Sequence, residues 1–166
     1  CLVGSEMCIR DRFRSYYATA YTGNLMKNSK GLVTNALYGF ANMINKIIEE
    51  EKPEYMCVAF DVGKSFRHRE YADYKAGRHE TPEELKKQMP IARDLLDKMG
   101  IFNINVLDYE ADDIIGTLSK WADEDPEWDA LLITSDHDYL QLITEVVNVK
   151  LLKQSGFTKY DPKTFM

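Results

Sequence analysis

Residues 55–78 read YMCVAFDVGKSFRHREYADYKAGR, and the change of character at Asp61 decides how the chain is read. The apolar run from Tyr55 to Phe60 is β-branched and aromatic enough for a strand inside a sheet. It delivers a carboxylate, Asp61, at its end. From Lys64 onward the chain turns basic and aromatic, with five Lys or Arg against Glu70 and Asp73 between residues 64 and 79, whereas the whole 166-residue chain carries a net charge of −6. A polyanion would be attracted to this segment far more than to the rest of the surface. Lys64, Arg67, Arg69 and Tyr74 are candidates for contacts to a nucleic-acid strand. A solvated, charge-mixed segment with half-buried tyrosines is the plainer reading of the same residues.

Working outward, Leu37, Phe40, Ala41, Ile44, Ile47 and Ile48 recur at three- and four-residue spacing and predict a helix, with Thr34 or Asn35 as N-cap and Pro53 as its stop. On the other side, Thr81-Pro82-Glu83-Glu84 reads as a capping box with Pro in the first turn. The helix it opens carries Leu85, Met89, Leu95, Leu96 and Met99 and ends at Gly100, with a kink expected at Pro90. A strand over 103–107, a helix over 109–122, a strand over 130–134, a short helix over 139–143 and a last strand over 146–152 complete the reading. Helices alternating with short apolar runs predict an α/β fold, with a mainly parallel central sheet flanked by helices. In such sheets the site lies at the carboxyl ends of the strands, so the acids just after strands matter most.

Composition sets the bounds. A chain that is 45% hydrophobic and 29% charged is ordinary for a globular domain, and its length suggests one. No apolar run reaches the length of a membrane span and no signal peptide is visible, so a cytoplasmic location is expected. The cysteines, Cys1, Cys8 and Cys57, suggest neither a disulfide framework nor a zinc site. Residues 1–12, CLVGSEMCIRDR, lack periodicity and look like translated sequencing adaptor, which places the native start near Phe13. Residues 16–30 are polar and turn-rich, and Tyr16 and Tyr17 join the tyrosines that could stack on bases. Asp161-Pro162 makes a good N-cap with only four residues after it, so the domain is expected to be incomplete.

Three groups of carboxylates follow strands: Asp61; Glu110, Asp112 and Asp113; and Asp136 with Asp138. Facing one cleft unneutralised they would repel by several kcal/mol, so either they diverge or cations hold them. Oxygen-only donors favour Mg²⁺ or Mn²⁺ over zinc. Glu110 and Asp113 share a helix face and Asp112 points away from it, so not all six can bind one ion directly. The 110–113 group could also be a first helical turn favoured by the helix dipole, with Asp108 as its cap, and Asp136 and Asp138 could cap a following helix. His68, His79 and His137 have no partners for nucleophilic catalysis.

In order and spacing, Phe60-Asp61, FRHREYADYKAGR (66–78), YEADD (109–113) and TSDHDYLQL (134–142) resemble the 5′-nuclease domain of bacterial DNA polymerase I, a branch of the flap endonuclease family. The resemblance implies a PIN-like fold and divalent-metal-dependent hydrolysis of DNA phosphodiesters at 5′ ends or 5′ flaps. It implies Mg²⁺ or Mn²⁺, two ions in a complete domain, a linked polymerase domain, and a monomer. By position, Asp61, Glu110, Asp112, Asp113, Asp136 and Asp138 match the family's metal-binding carboxylates. Lys75 and Arg78 match its basic residues at the scissile phosphate, and residues 64–80 match an arch that admits a single-stranded 5′ end. The chemistry agrees, since in-line hydrolysis needs an activated water and positive charge on attacking and leaving oxygens. Arg78 could make a two-pronged phosphate contact. The family also opens with a strand ending in a metal-binding Asp, for which Asp11 is out of register. It continues into two further aspartates and a helix-hairpin-helix, so a fragment truncated at both ends is expected. A PIN-type ribonuclease, a phosphoacceptor receiver module and a non-catalytic DNA-binding remnant are the alternatives.

Overall fold

The computed structural model describes residues 26–71, 73–75, 81–153 and 156–165. They fall into two compact units, one containing residues 26–52 and 81–101 and the other the remaining described residues.

In the first unit, helix α1 (Asn35–Glu51) buries Ala36, Phe40, Met43, Ile44 and Ile47, the stripe that the periodicity predicts. It stops where expected, at Glu51, two residues before Pro53. Proline crowds the residue ahead of it out of the helical region, and Lys52 takes a left-handed conformation with its N–H bonded back to the Ile48 carbonyl. The capping box expected at Thr81 does not form. Pro82 occupies the N-cap, where it has no side chain to cap with, and a short helix α2 (Glu83–Lys86) follows. The kink expected at Pro90 is a break, because α3 (Gln88–Lys98) is a separate helix. Pro90 offers no N–H and its ring crowds the carbonyl four residues earlier, that of Lys86, the last residue of α2. Gln88 is fully buried; its Oε1 accepts from Leu37 N at 3.2 Å and its Nε2 donates to the Glu84 carbonyl. The start of α1 is thereby fastened to the α2–α3 junction. Gly100, at a φ of 72°, turns the chain out of α3, a conformation that costs glycine little.

The second unit holds all the described strands. β1 (Cys57–Ala59) pairs in parallel with β2 (Phe102–Ile104). β3 (Ala130–Thr134) pairs in parallel with β4 (Val147–Lys153), and β4 pairs antiparallel with β5 (Gly156–Tyr160). Two of the three pairings are parallel, as a mainly parallel sheet requires. The first two strands are shorter than the apolar runs, and β4 is not the last, since β5 adds a hairpin. Every residue of β1 and β3 is buried, which is why they read as unbroken apolar runs. Helix α4 (Ala111–Glu124) packs against β1, β3 and β4, and its Ile114, Ile115 and Ala122 form a core with Leu132, Val149 and Leu151. A 3-10 helix, His137–Leu142, replaces the short helix expected at 139–143. A last turn of helix, α5 (Pro162–Phe165), is capped by Asp161, whose Oδ1 accepts from the amides of Lys163 and Thr164. This arrangement brings the carboxyl ends of β1 and β3 to the N-terminus of α4.

Candidate active site

Helix α4 starts at Ala111 rather than Tyr109 because Glu110 is its N-cap. Glu110 and Asp113 form a reciprocal capping box, in which the Glu110 amide donates to Asp113 Oδ2 at 3.0 Å and the Glu110 side chain accepts from the Asp113 amide. Asp108 does not cap this helix; it sits at a φ of 69° and pairs with Arg69.

The basic segment is docked onto this helix start. Gly63, at a φ of 64°, turns the chain after β1, and Ser65 caps a five-residue helix, Phe66–Glu70, in a box with His68. From that helix Arg67 makes a fork to Asp113, with both bonds 2.7 Å long. The Phe66 amide donates to the Asp108 carbonyl at 2.9 Å. Glu110, only 6% exposed, is gripped from three sides. Lys75 Nζ and the Tyr74 hydroxyl donate to its Oε2 at 2.9 and 3.0 Å, and the Ser65 hydroxyl donates to its Oε1 at 3.0 Å. Burial pushes the Glu110 carboxyl up, yet the bonds from Lys75, Tyr74 and Ser65 outweigh it and hold the group below its ordinary range. The Arg67 fork does the same for Asp113 against its partial burial. Lys75 has a φ of 58°, strained for a residue with a Cβ, at a cost of about 1–3 kcal/mol. The two bonds onto Glu110 from adjacent residues hold that turn. Arg69 and Lys64 are exposed. Arg78, His79, Tyr16 and Tyr17 lie outside the described residues.

Asp112, Asp136 and Asp138 line a cavity of about 270 Å³ together with Asp113 and Tyr139. Asp61 Oδ1 accepts from the Ala111 amide at 2.9 Å, using one of the open amides at the start of α4. Asp136 caps the 3-10 helix, its Oδ1 accepting from the Asp138 amide at 2.9 Å. Burial pushes the Asp112 carboxyl above its ordinary range, and the negative charges of Asp61 and Asp136 add to the shift against the opposing hydrogen bond from Tyr139 and charge of Lys75. That bond, from the Tyr139 hydroxyl to Asp112 Oδ1, is 2.6 Å long. The six acids thus separate into a compensated pair, Glu110 and Asp113, and a mutually repelling set around Asp112.

Among the described residues no three Asp, Glu, His or Cys side chains form a ready-made nest for an ion. Lys75, Tyr74, Ser65 and Arg67 occupy Glu110 and Asp113. The set around Asp112 nevertheless suits a hard divalent cation in donor chemistry and in charge. Its donors are all oxygens, and the burial and neighbouring negative charge that lift Asp112 are what a bound cation offsets.

Residues 10–166 match the family described as 5′-3′ exonuclease, N-terminal resolvase-like domain. The chain belongs to that family. This exonuclease-family domain is 43% identical over 157 residues to DNA polymerase I of Streptococcus pneumoniae (strain ATCC BAA-255 / R6), covering 93% of the chain and 18% of the relative. It is 44% identical over 143 residues to DNA polymerase I of Bacillus subtilis (strain 168), covering 86% of the chain and 16% of the relative. The domain thus spans less than a fifth of the length of these relatives. Among solved structures it is similar to the bacteriophage T5 flap endonuclease in a pseudo-enzyme–product complex with DNA and metal ions, at a TM-score of 0.65 and 22% identity over 96% of this chain and 57% of that one. It is also similar to the catalytic core of Rad2 in complex with DNA substrate, at a TM-score of 0.58 and 20% identity over 98% and 46% of the two chains. These likenesses show that the exonuclease domain has the 5′-nuclease, PIN-like fold.

Sequence reasoning missed Ser65, His68 and Tyr139 in this domain. Ser65 and His68 carried a cap signature at N-cap and third position. Tyr139 bonds Asp112 across 27 positions, a contact that no local spacing signals.

Proposed function

We propose that this domain hydrolyses DNA phosphodiesters at 5′ ends or 5′ flaps, using divalent cations, Mg²⁺ or Mn²⁺, held at the Asp112 cavity. The observation that carries this reading is the separation of the acids into two sets with Lys75 acting on both. Lys75 is bonded to Glu110, and its charge is also felt at Asp112. Asp61, Asp112, Asp136 and Asp138 would hold the cation. Glu110 and Asp113 join them only by exchanging Lys75 and Arg67 for it. Divalent cations bound there supply an activated water and positive charge for in-line displacement at phosphorus.

The chain's own residues supply orientation. A phosphate entering the site would compete with Glu110 for Lys75, whose ammonium could then stabilise charge developing on the phosphate oxygens. Arg67 and Arg69, now paired with Asp113 and Asp108, and Lys64 and Arg78 put positive charge in one stretch of the sequence, and Tyr74 is the candidate to stack on a base. The names of the relatives support the reading, because DNA polymerase I is what the chain matches over most of its length. The T5 and Rad2 structures also hold DNA on the same fold. A linked polymerase domain, monomeric behaviour, two cations and a cytoplasmic location belong to the same proposal. No helix among the described residues is long and apolar enough to cross a membrane.

The test is incubation of a 5′-flap DNA and a matched RNA hairpin with Mg²⁺ and with chelator. Cleavage of the flap DNA in Mg²⁺ alone supports the proposal. Cleavage of the RNA in preference to the DNA would favour a ribonuclease instead.

A further inference from the structure

Tyr139 joins two environments that are seldom shared by one side chain. Its ring is 4% exposed and belongs to the core formed with Ala111, Ile115, Leu132 and Val149. Its hydroxyl lies at the lip of the acidic cavity, 2.6 Å from Asp112 Oδ1. The two partners come from different elements, the 3-10 helix after β3 and the first turn of α4. Their bond therefore fixes the relation between two of the three acidic groups.

We propose that Tyr139 is a positioning residue for Asp112, its packed ring aiming a hydroxyl that holds one carboxylate oxygen so that the other is presented to the cavity. This rests on the reading of the cavity as a cation site. Asp112 is short, partly buried and set in a helical first turn whose Ala111 and Asp113 amides already serve Asp61 and Glu110. A carboxylate free to rotate about its own side-chain bonds must be ordered each time a cation binds. A hydroxyl delivered by a core aromatic removes that freedom in advance. Hydrogen-bonded groups behind a metal ligand affect cation affinity in this way, by about 10–100-fold when removed.

Tyr139→Phe keeps the ring and removes the hydroxyl. Binding of Mn²⁺ to the chain, followed by the electron paramagnetic resonance of the free ion, is expected to weaken about 10-fold or more. The melting temperature in chelator and the near-ultraviolet circular dichroism are expected to stay close to those of the unaltered chain. Replacement of Tyr139 by 4-aminophenylalanine, which restores a donor at the same place, is expected to recover most of the affinity. Equal Mn²⁺ affinity in Tyr139→Phe and the unaltered chain would overturn the role of Tyr139 while leaving the cation site standing. Loss without recovery by 4-aminophenylalanine would overturn it too, by showing a packing effect. Failure of the unaltered chain to bind Mn²⁺ at all would instead sink the cation reading, and the role of Tyr139 with it.

Discussion

Lys75 Nζ lies 2.9 Å from Glu110 Oε2, and this contact joins the most basic stretch of the sequence to one of its three acidic groups across 35 positions. Glu110 is buried and Lys75 nearly so, with 8% and 17% of their side chains exposed. The pair is therefore shielded from salt better than a surface ion pair.

If Lys75 exchanges Glu110 for a phosphate during the reaction, its removal should act on turnover more than on binding. Lys75→Ala is expected to lower the single-turnover rate on 5′-flap DNA by about 100–1,000-fold, the scale of one lost transition-state donor, with a much smaller change in DNA affinity. Single-turnover kinetics beside fluorescence anisotropy check this. Equal losses in rate and affinity would make Lys75 an electrostatic anchor only.

Arg67 and Asp113 form the second clasp between the same two segments. Arg67→Ala leaves a partly buried carboxylate without its fork and is expected to destabilise the domain by about 1–2 kcal/mol, read from the urea midpoint at pH 7.

The acids also set the response to pH. Glu110 and Asp113 ionise more readily in the folded chain than in the unfolded one. Their contribution is thus complete above the unfolded carboxylate range, at roughly pH 4–4.5, and is lost as pH falls through and below it. Asp112 runs the other way, because its raised carboxyl costs stability at neutral pH and that cost fades as acid protonates it. Urea midpoints between pH 3 and 7 should show a shallower acid limb in Arg67→Ala than in the unaltered chain.

Asp112→Asn removes that cost while keeping an acceptor for the Tyr139 hydroxyl. In chelator it is expected to raise stability by about 0.5–2 kcal/mol, the usual gain when a functional site is relieved of its strain, and to lose cation-dependent cleavage. A calorimetric melt in chelator showing a lower melting temperature would contradict the repulsion inferred around Asp112.

Much of this arrangement is legible in the chain. The apolar runs ending at Phe60 and Thr134 announce buried strands, and Asp61 and Asp136 follow them because strand ends are where an α/β sheet leaves room for a site. The helical stripe from Phe40 to Ile47 is equally plain. Other features depend on contacts that no local pattern encodes. That Glu110 serves Lys75, Tyr74 and Ser65 follows from how the 65–75 segment folds back on α4, which the spacing of the acids does not encode. Strand β5 was missed because Gly156 to Tyr160 is short and mixed in polarity, and its pairing is supplied by β4 rather than by its own pattern. The break before Gln88 came three residues ahead of Pro90 because a proline disturbs the turn behind it.

The central claim is that strand-end carboxylates around Asp112 work together on a cation, and Asp136 tests it with the least disturbance to the basic segment. Cleavage of a 5′-flap DNA in saturating Mg²⁺ should fall by about 100-fold or more in Asp136→Asn, beyond the effect typical of groups behind a ligand, with circular dichroism and melting unchanged. A rate near that of the unaltered chain would remove Asp136 from the site and contradict the account.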